Sequence, residues 1–271
     1  MKKKKLKESF AHYLAMWGSI CTGLVYAGIG VIAVLSFLKL KRGGADESSM
    51  LVYLQTFLIG RVFVWLILSG MVGYILWRVY ETAKDPYGYG NDTRGIMRRT
   101  MIALSSLADA LIAYSAIQAL FGFSGSEKTG EPKAERELGS SILESPAGST
   151  ILITAGVILL LIALTQVAYV ITSAYRERLD IQRLKRWKQN IIHILAWTGH
   201  FARGIILGII GFFLTRAGIT KEPRQIVNTD KAFDFLGDSG GAVPFLLVAV
   251  GTVCYGVFMF FQGIYYDSDK K

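Results

Sequence analysis

Apolar residues run for about twenty positions at a time in six stretches, near 14–38, 57–80, 101–121, 150–172, 195–215 and 243–263. A helix rises about 1.5 Å per residue, so each stretch matches the roughly 30 Å hydrocarbon core of a bilayer. Spanning helices also satisfy their own backbone hydrogen bonds, which lipid cannot do. Of the 271 residues, 52% are hydrophobic and 18% charged, a balance that excludes both disorder and an ordinary water-soluble domain. The chain is therefore expected to be an all-α integral membrane protein, a single membrane domain over 1–271 with six transmembrane helices.

Six spans return both termini to one side. Lys2 to Lys5 and Lys7 precede the first stretch, but that stretch is far longer than the roughly 7–15 apolar residues of a cleavable leader, so it reads as a retained anchor. Eighteen of the thirty Lys and Arg residues fall on the side of the termini and ten on the other, with Arg61 and Arg203 inside spans. Positive loops stay inside, which predicts cytoplasmic N- and C-termini in a cytoplasmic (inner) membrane. The formal charge of +10 then belongs almost wholly to the inner face. Anionic lipid is the expected counterpart of such a face, and nucleic acid is not.

The chain also repeats itself. At a spacing of 181 residues, His12 pairs with His193, Gly18 with Gly199, Gly23 with Gly204, Gly30 with Gly211, Gly60 with Gly241, Gly70 with Gly251 and Tyr74 with Tyr255. The middle third, 87 or 88 residues beyond the first, is more diverged but keeps Gly148 opposite Gly60 and Ala110 opposite Gly23. Three tandem helical hairpins are expected, over about 10–85, 97–175 and 191–266. Each begins and ends on the same side, so the repeats are parallel and suit a pseudo-threefold bundle about the membrane normal.

The glycine-rich first helix, with Val25-Tyr26-Ala27-Gly28-Ile29-Gly30 and Ala202-Arg203-Gly204-Ile205, is followed by a Gly60-Arg61 entry and a Leu76-Trp77-Arg78 exit. This pattern resembles, over essentially the whole chain, the bacterial membrane proteins grouped as DUF family 1206. The resemblance implies three repeats of a two-helix transmembrane unit and supplies no catalytic residues. Where the family pattern favours an Arg, this chain keeps Arg203 but has Thr22 and Asp109 at the equivalent positions.

Those three positions carry the most informative chemistry. Equal depth in three equivalent helices permits contact, and intramembrane charges usually face the protein interior and pair. An Asp109–Arg203 ion pair with Thr22 hydrogen-bonding nearby is expected, setting the register between repeats. The functional alternative is an ion, proton or anionic-ligand site. Gly23, Ala27, Gly204 and Gly208 make small-xxx-small spacings that let backbones approach.

His12, His193 and His200 read as interfacial side chains at headgroup level. A bis-histidine haem site would need two imidazoles converging across the bundle, each held by a second hydrogen bond. No cofactor and no metal site is expected. Cys21 and Cys254 lie singly inside apolar stretches, which gives neither a disulfide framework nor a zinc site.

Tyr175 to Asn190 suggests an amphipathic basic cytoplasmic segment, a helix over 175–190 with Ile181, Leu184 and Trp187 entering the interface. Arg176, Arg178, Arg183, Lys185, Arg186 and Lys188 would then reach lipid headgroups. The segment 122–149 reads as a solvated polar external loop whose acids are too scattered for calcium. No nucleophile–base set, phosphate loop or zinc motif is visible, so an enzyme is not expected. The leading expectation is a non-catalytic scaffold or accessory subunit of a membrane complex. A small transporter or channel using the Asp/Arg pair comes second, and a cofactor-binding or lipid-modifying enzyme third.

Overall fold

The computed structural model describes residues 2–40, 45–55, 57, 60–85, 88–121, 131–177, 179, 181 and 184–265. Side chains of residues 2–12, and of many positions between 101 and 119 that include Asp109, lie outside the described residues. The described chain is helical: α1 (Lys2–Phe37), α2 (Glu47–Leu54), α3 (Gly60–Lys84), α4 (Thr93–Phe121), α5 (Lys133–Leu143), α6 (Gly148–Ile171), α7 (Arg186–Thr220), α8 (Thr229–Gly240) and α9 (Ala242–Ile264). Within α1, Tyr13–Phe37 is long and apolar enough to cross a membrane, as are α3, α6, α7 and α9. The remaining expected span, 101–121, falls inside α4, so the described residues give five such helices rather than six.

The long helices pack in a closed ring, in the order α1, α3, α4, α6, α7, α9 and back to α1. Within a repeat, the seat of the first helix on the second is the same in the outer units. Gly18 lies against Tyr74 on α3, with an added Cβ only 2.8 Å from its Cα, and Gly199 lies against Tyr255 on α9 at 2.5 Å. The seams between repeats are also equivalent. An added Cβ on Gly23 would stand 2.7 Å from the Gly256 carbonyl oxygen, closing α1 on α9, and one on Gly204 would stand 3.2 Å from that of Ala163, closing α7 on α6. Larger residues would hold these backbones apart. Three copies of one hairpin, each handing its first helix to the preceding copy's second, form the ring.

Each repeat carries a further short helix between its long ones: α2, α5 and α8, at matching positions in the repeat. By sequence alone these stretches read as loops. The turn from short to long helix is tight at Gly60 and Gly148, and Gly241 makes it at φ +81°, a left-handed conformation that a side chain would strain. Thus the polar loop expected over 122–149 is corrected in part: Lys133–Leu143 is α5, held because Gly139 leaves room for Ile226 beneath it. The short helices gather at the distal end of the ring, opposite the end where α1 begins and α9 finishes.

At the proximal end the structure corrects a second expectation. Among the described residues of 175–190, Ala174–Glu177 is a 3-10 turn and the next helix begins at Arg186, so no single amphipathic helix covers the stretch. The physical reason lies in burial. Tyr175, Leu179 and Ile181 turn inward and join the main apolar core, at 1%, 0% and 6% exposure, instead of lining one face of a surface helix. Trp187 remains outside. That core runs through α1, α3, α7 and α9, with Ala113 and Leu120 from α4 and Val170 from α6.

Candidate functional site

Arg203 sits midway along α7, and the glycines that close the ring bring it against two neighbours. Its guanidinium lies 4.9 Å over the Tyr26 ring of α1 and 4.8 Å over the Tyr255 ring of α9, and Nη1 donates to the Tyr255 hydroxyl. The two tyrosines meet edge to face at 4.9 Å. A cation between aromatic faces is attracted by both ring quadrupoles, and more strongly where water is excluded. Arg203 is 7% exposed, so bulk water is largely kept away from it.

Beside the guanidinium is a cavity of about 20 Å³, walled by Tyr26, Arg203, Thr252 and Tyr255, by Ile206 and Leu207, and by Thr229 at the start of α8. That volume holds about one water molecule. The Thr252 hydroxyl is turned to its own helix, donating to the Val248 carbonyl at 2.8 Å.

One turn before Arg203, His200 continues the polar line. Its Nδ1 bonds the Gln166 amide oxygen on α6 at 2.8 Å, which assigns the proton to Nδ1. Tyr169, Tyr255 and Phe258 surround the ring at 4.9, 5.1 and 5.3 Å. His200 is thus buried rather than interfacial, which corrects the sequence expectation: α7 is already enclosed by α6 and α9 at this level. His193 lies nearer the proximal end and bonds the Tyr175 hydroxyl through Nδ1. The His12 side chain lies outside the described residues. Nδ1 of His193 and Nδ1 of His200 are thus engaged by different segments, Tyr175 and Gln166. No group of three or more potential metal ligands occurs among the described residues.

The first repeat has its own guanidinium–tyrosine pair. Arg78 Nη2 donates to Tyr74 at 2.6 Å, stacks 4.9 Å over that ring and pairs with Glu81 at 3.2 Å, Glu81 being 1% exposed. Tyr74 and Tyr255 are repeat equivalents, so one tyrosine seat receives an arginine from its own helix in the first unit and from the partner helix in the third. Glu81 and Gln166 carry no signal in the sequence, and Arg78 stood out only as part of the Leu76-Trp77-Arg78 exit; the aligned Tyr74 and Tyr255 were the available signal.

Of the expected trio, Thr22 is fully buried and its hydroxyl meets Met71 Sδ at 3.3 Å, so it serves its own hairpin and not Arg203. The Asp109 side chain lies outside the described residues. Gly23 and Ala27 line the α1–α9 seam at Gly256, and Gly204 and Gly208 face Ala163 on α6. Among the basic residues near 175–190, Arg176 is exposed and its Nε donates to Tyr175 at 3.2 Å; Lys185 and Arg186 are exposed at the start of α7, and Lys188 lies 5.6 Å over Trp187. Arg178 and Arg183 lie outside the described residues.

An uncharacterized protein, YxxB, of Bacillus subtilis (strain 168) is 26% identical to this chain over 265 residues, covering 96% of this chain and 94% of the relative. No solved structure matches. The family described as Domain of Unknown Function (DUF1206) matches three times, over 17–85, 101–173 and 198–266, once per hairpin. A long buried arginine on a glycine-seated tyrosine, in a thrice-repeated hairpin, is thus set in a chain that belongs to the DUF1206 family.

Proposed function

We propose that this protein is a non-catalytic multi-pass protein of the bacterial inner membrane, acting as a scaffold or accessory subunit of a membrane complex. In this reading six helices span, both termini are cytoplasmic, and the basic proximal face meets anionic lipid. The observation that supports it is how the interior polar groups are engaged. Arg203 is held by Tyr26 and Tyr255, His200 by Gln166, and Arg78 by Glu81 and Tyr74, beside a cavity with room for about one water. Groups locked together in this way rigidify a bundle and specify its register. A rigid body with broad lipid-facing helices suits holding partners together. Native mass spectrometry after mild solubilisation tests it: a reproducible membrane-protein partner of fixed stoichiometry is expected, and a protein that emerges alone from its native membrane would overturn it.

A second reading, a small transporter or channel, draws on the buried guanidinium at mid-helix, because ionisable groups at that depth mark ion and proton routes. It requires Asp109 beside Arg203. Purified protein in vesicles would then carry a flux that Asp109→Asn abolishes without changing yield or melting temperature; absence of flux in the wild type removes this reading.

A further inference from the structure

The cavity beside Arg203 lies between two sources of positive potential. One is the guanidinium itself, buried in the wall and charged at any physiological pH. The other is α8. Thr229, the first residue of that helix, forms part of the cavity wall, and the helix starts under cover, with Asn228 and Thr229 at 8% and 6% exposure. An α-helix carries about half a positive charge at its N-terminus, where the first N–H groups lack acceptors within the helix. Asn228 caps the Lys231 N–H at 3.1 Å. Asp230, the acid of that first turn, is directed to the Ala45 N–H at 2.5 Å, on the segment entering α2, and is not part of the wall. Among the described residues no carboxylate lines the cavity. The rest of the wall is two tyrosines, Thr252 and two aliphatic side chains, and the volume of about 20 Å³ takes one particle the size of a water molecule.

We propose that this cavity binds one small monovalent anion, a halide such as chloride, held between the Arg203 guanidinium and the first turn of α8. Water fits the space but carries no charge, and a positive potential in a low-dielectric interior favours an anion over a neutral molecule of the same size. Volume then selects the class of anion. Sulfate, phosphate and organic carboxylates have several heavy atoms and exceed the space, whereas a halide is a single atom. The Tyr255 oxygen accepts from Arg203 Nη1, which turns its own proton away from the cation. The bound anion ties α7 and α9 of the bundle to α8 of the distal cap, so occupancy stabilises that junction. The site does not rest on the scaffold reading, and it competes with the second reading, in which Asp109 supplies the negative charge beside Arg203.

Thermal melts of the full-length protein in lipid nanodiscs test the site, with chloride or bromide replacing gluconate at constant ionic strength. A saturable rise in melting temperature of about 5 °C or more is expected with either halide, and none with sulfate. Radiolabelled chloride is expected to bind the wild type at one ion per chain. Thr252→Leu fills the cavity and keeps Arg203; it is expected to bind no chloride and to melt at the same temperature in halide and gluconate. Arg203→Gln is expected to lose chloride binding as well, and Thr252→Leu keeps the test decisive if that protein does not fold. A wild-type protein that binds no labelled chloride overturns the proposal, and this is the result if a carboxylate of the chain itself neutralises Arg203. So does a Thr252→Leu protein that folds and keeps the halide dependence.

Discussion

Arg203 and Arg78 show how one repeat position, that of Tyr255 and Tyr74, can receive two different arginines. Both meet a tyrosine that rests on a glycine of the first helix, but Arg78 also has Glu81 as an acceptor. Removing the hydroxyl should therefore cost unequal amounts. Tyr255→Phe takes away the acceptor for Arg203 Nη1 inside the bundle, and a loss of about 1–3 kcal/mol is expected; Tyr74→Phe should cost less, about 0.5–1.5 kcal/mol. Thermal melts of the two variants in the same detergent measure the difference, and equal shifts would show that the engagement of Arg203 with Tyr255 carries no special weight. Arg203, Thr22 and the aligned tyrosines were legible as residues to watch because the repeat spacing and their intramembrane position marked them. Gln166 and Glu81 were not, since nothing local distinguishes a polar residue that faces a polar partner in the interior from one that ends a span.

The short helices are the elements that local sequence hid most. α8 is announced by Asn228, whose side chain caps the Lys231 N–H at 3.1 Å, but the same pattern of polar residues and glycine reads equally as a loop. α5 owes its place to a longer reach: Lys231 of α8 bonds Glu131, and Arg136 Nε bonds the Ile226 carbonyl at 3.3 Å. The hydrogen bond from Lys231 holds the Glu131 carboxyl below its ordinary 4.5. Because this acid is depressed in the folded cap, its contribution is present above that ordinary value and is lost as pH falls through the lowered one. Acid thus weakens the α5–α8 link. Lys231→Met should speed hydrogen exchange in 131–143 at neutral pH but change the melting temperature little, since a partly exposed pair is worth about 0–1 kcal/mol. Unchanged exchange in α5 would show that the helix is placed by Gly139 and Ile226 instead.

The whole molecule is a ring because every hairpin binds the next, and the closure of α1 on α9 needs no covalent link nearby. Cutting the chain in the Asp85–Asp92 segment and expressing residues 1–90 and 91–271 together should therefore give a complex that co-purifies through the α1–α9 and α3–α4 seams. Gly256→Val in the larger piece should prevent recovery of the smaller one, because the added atoms would press on the Gly23 carbonyl and the Ala27 backbone. Recovery of the pair in spite of that substitution would locate the assembly energy elsewhere than the glycine seam. Apolar length and the 181-residue spacing determined by themselves that this chain is helical, membrane-embedded and built from copied hairpins, for a spanning helix has no other way to satisfy its backbone in lipid. Only the tertiary structure decided which helix each glycine touches, that Tyr175, Leu179 and Ile181 go inward, and that Thr22 serves Met71. Those outcomes depend on contacts between residues tens to hundreds of positions apart, and a periodic apolar pattern carries no information about the partner.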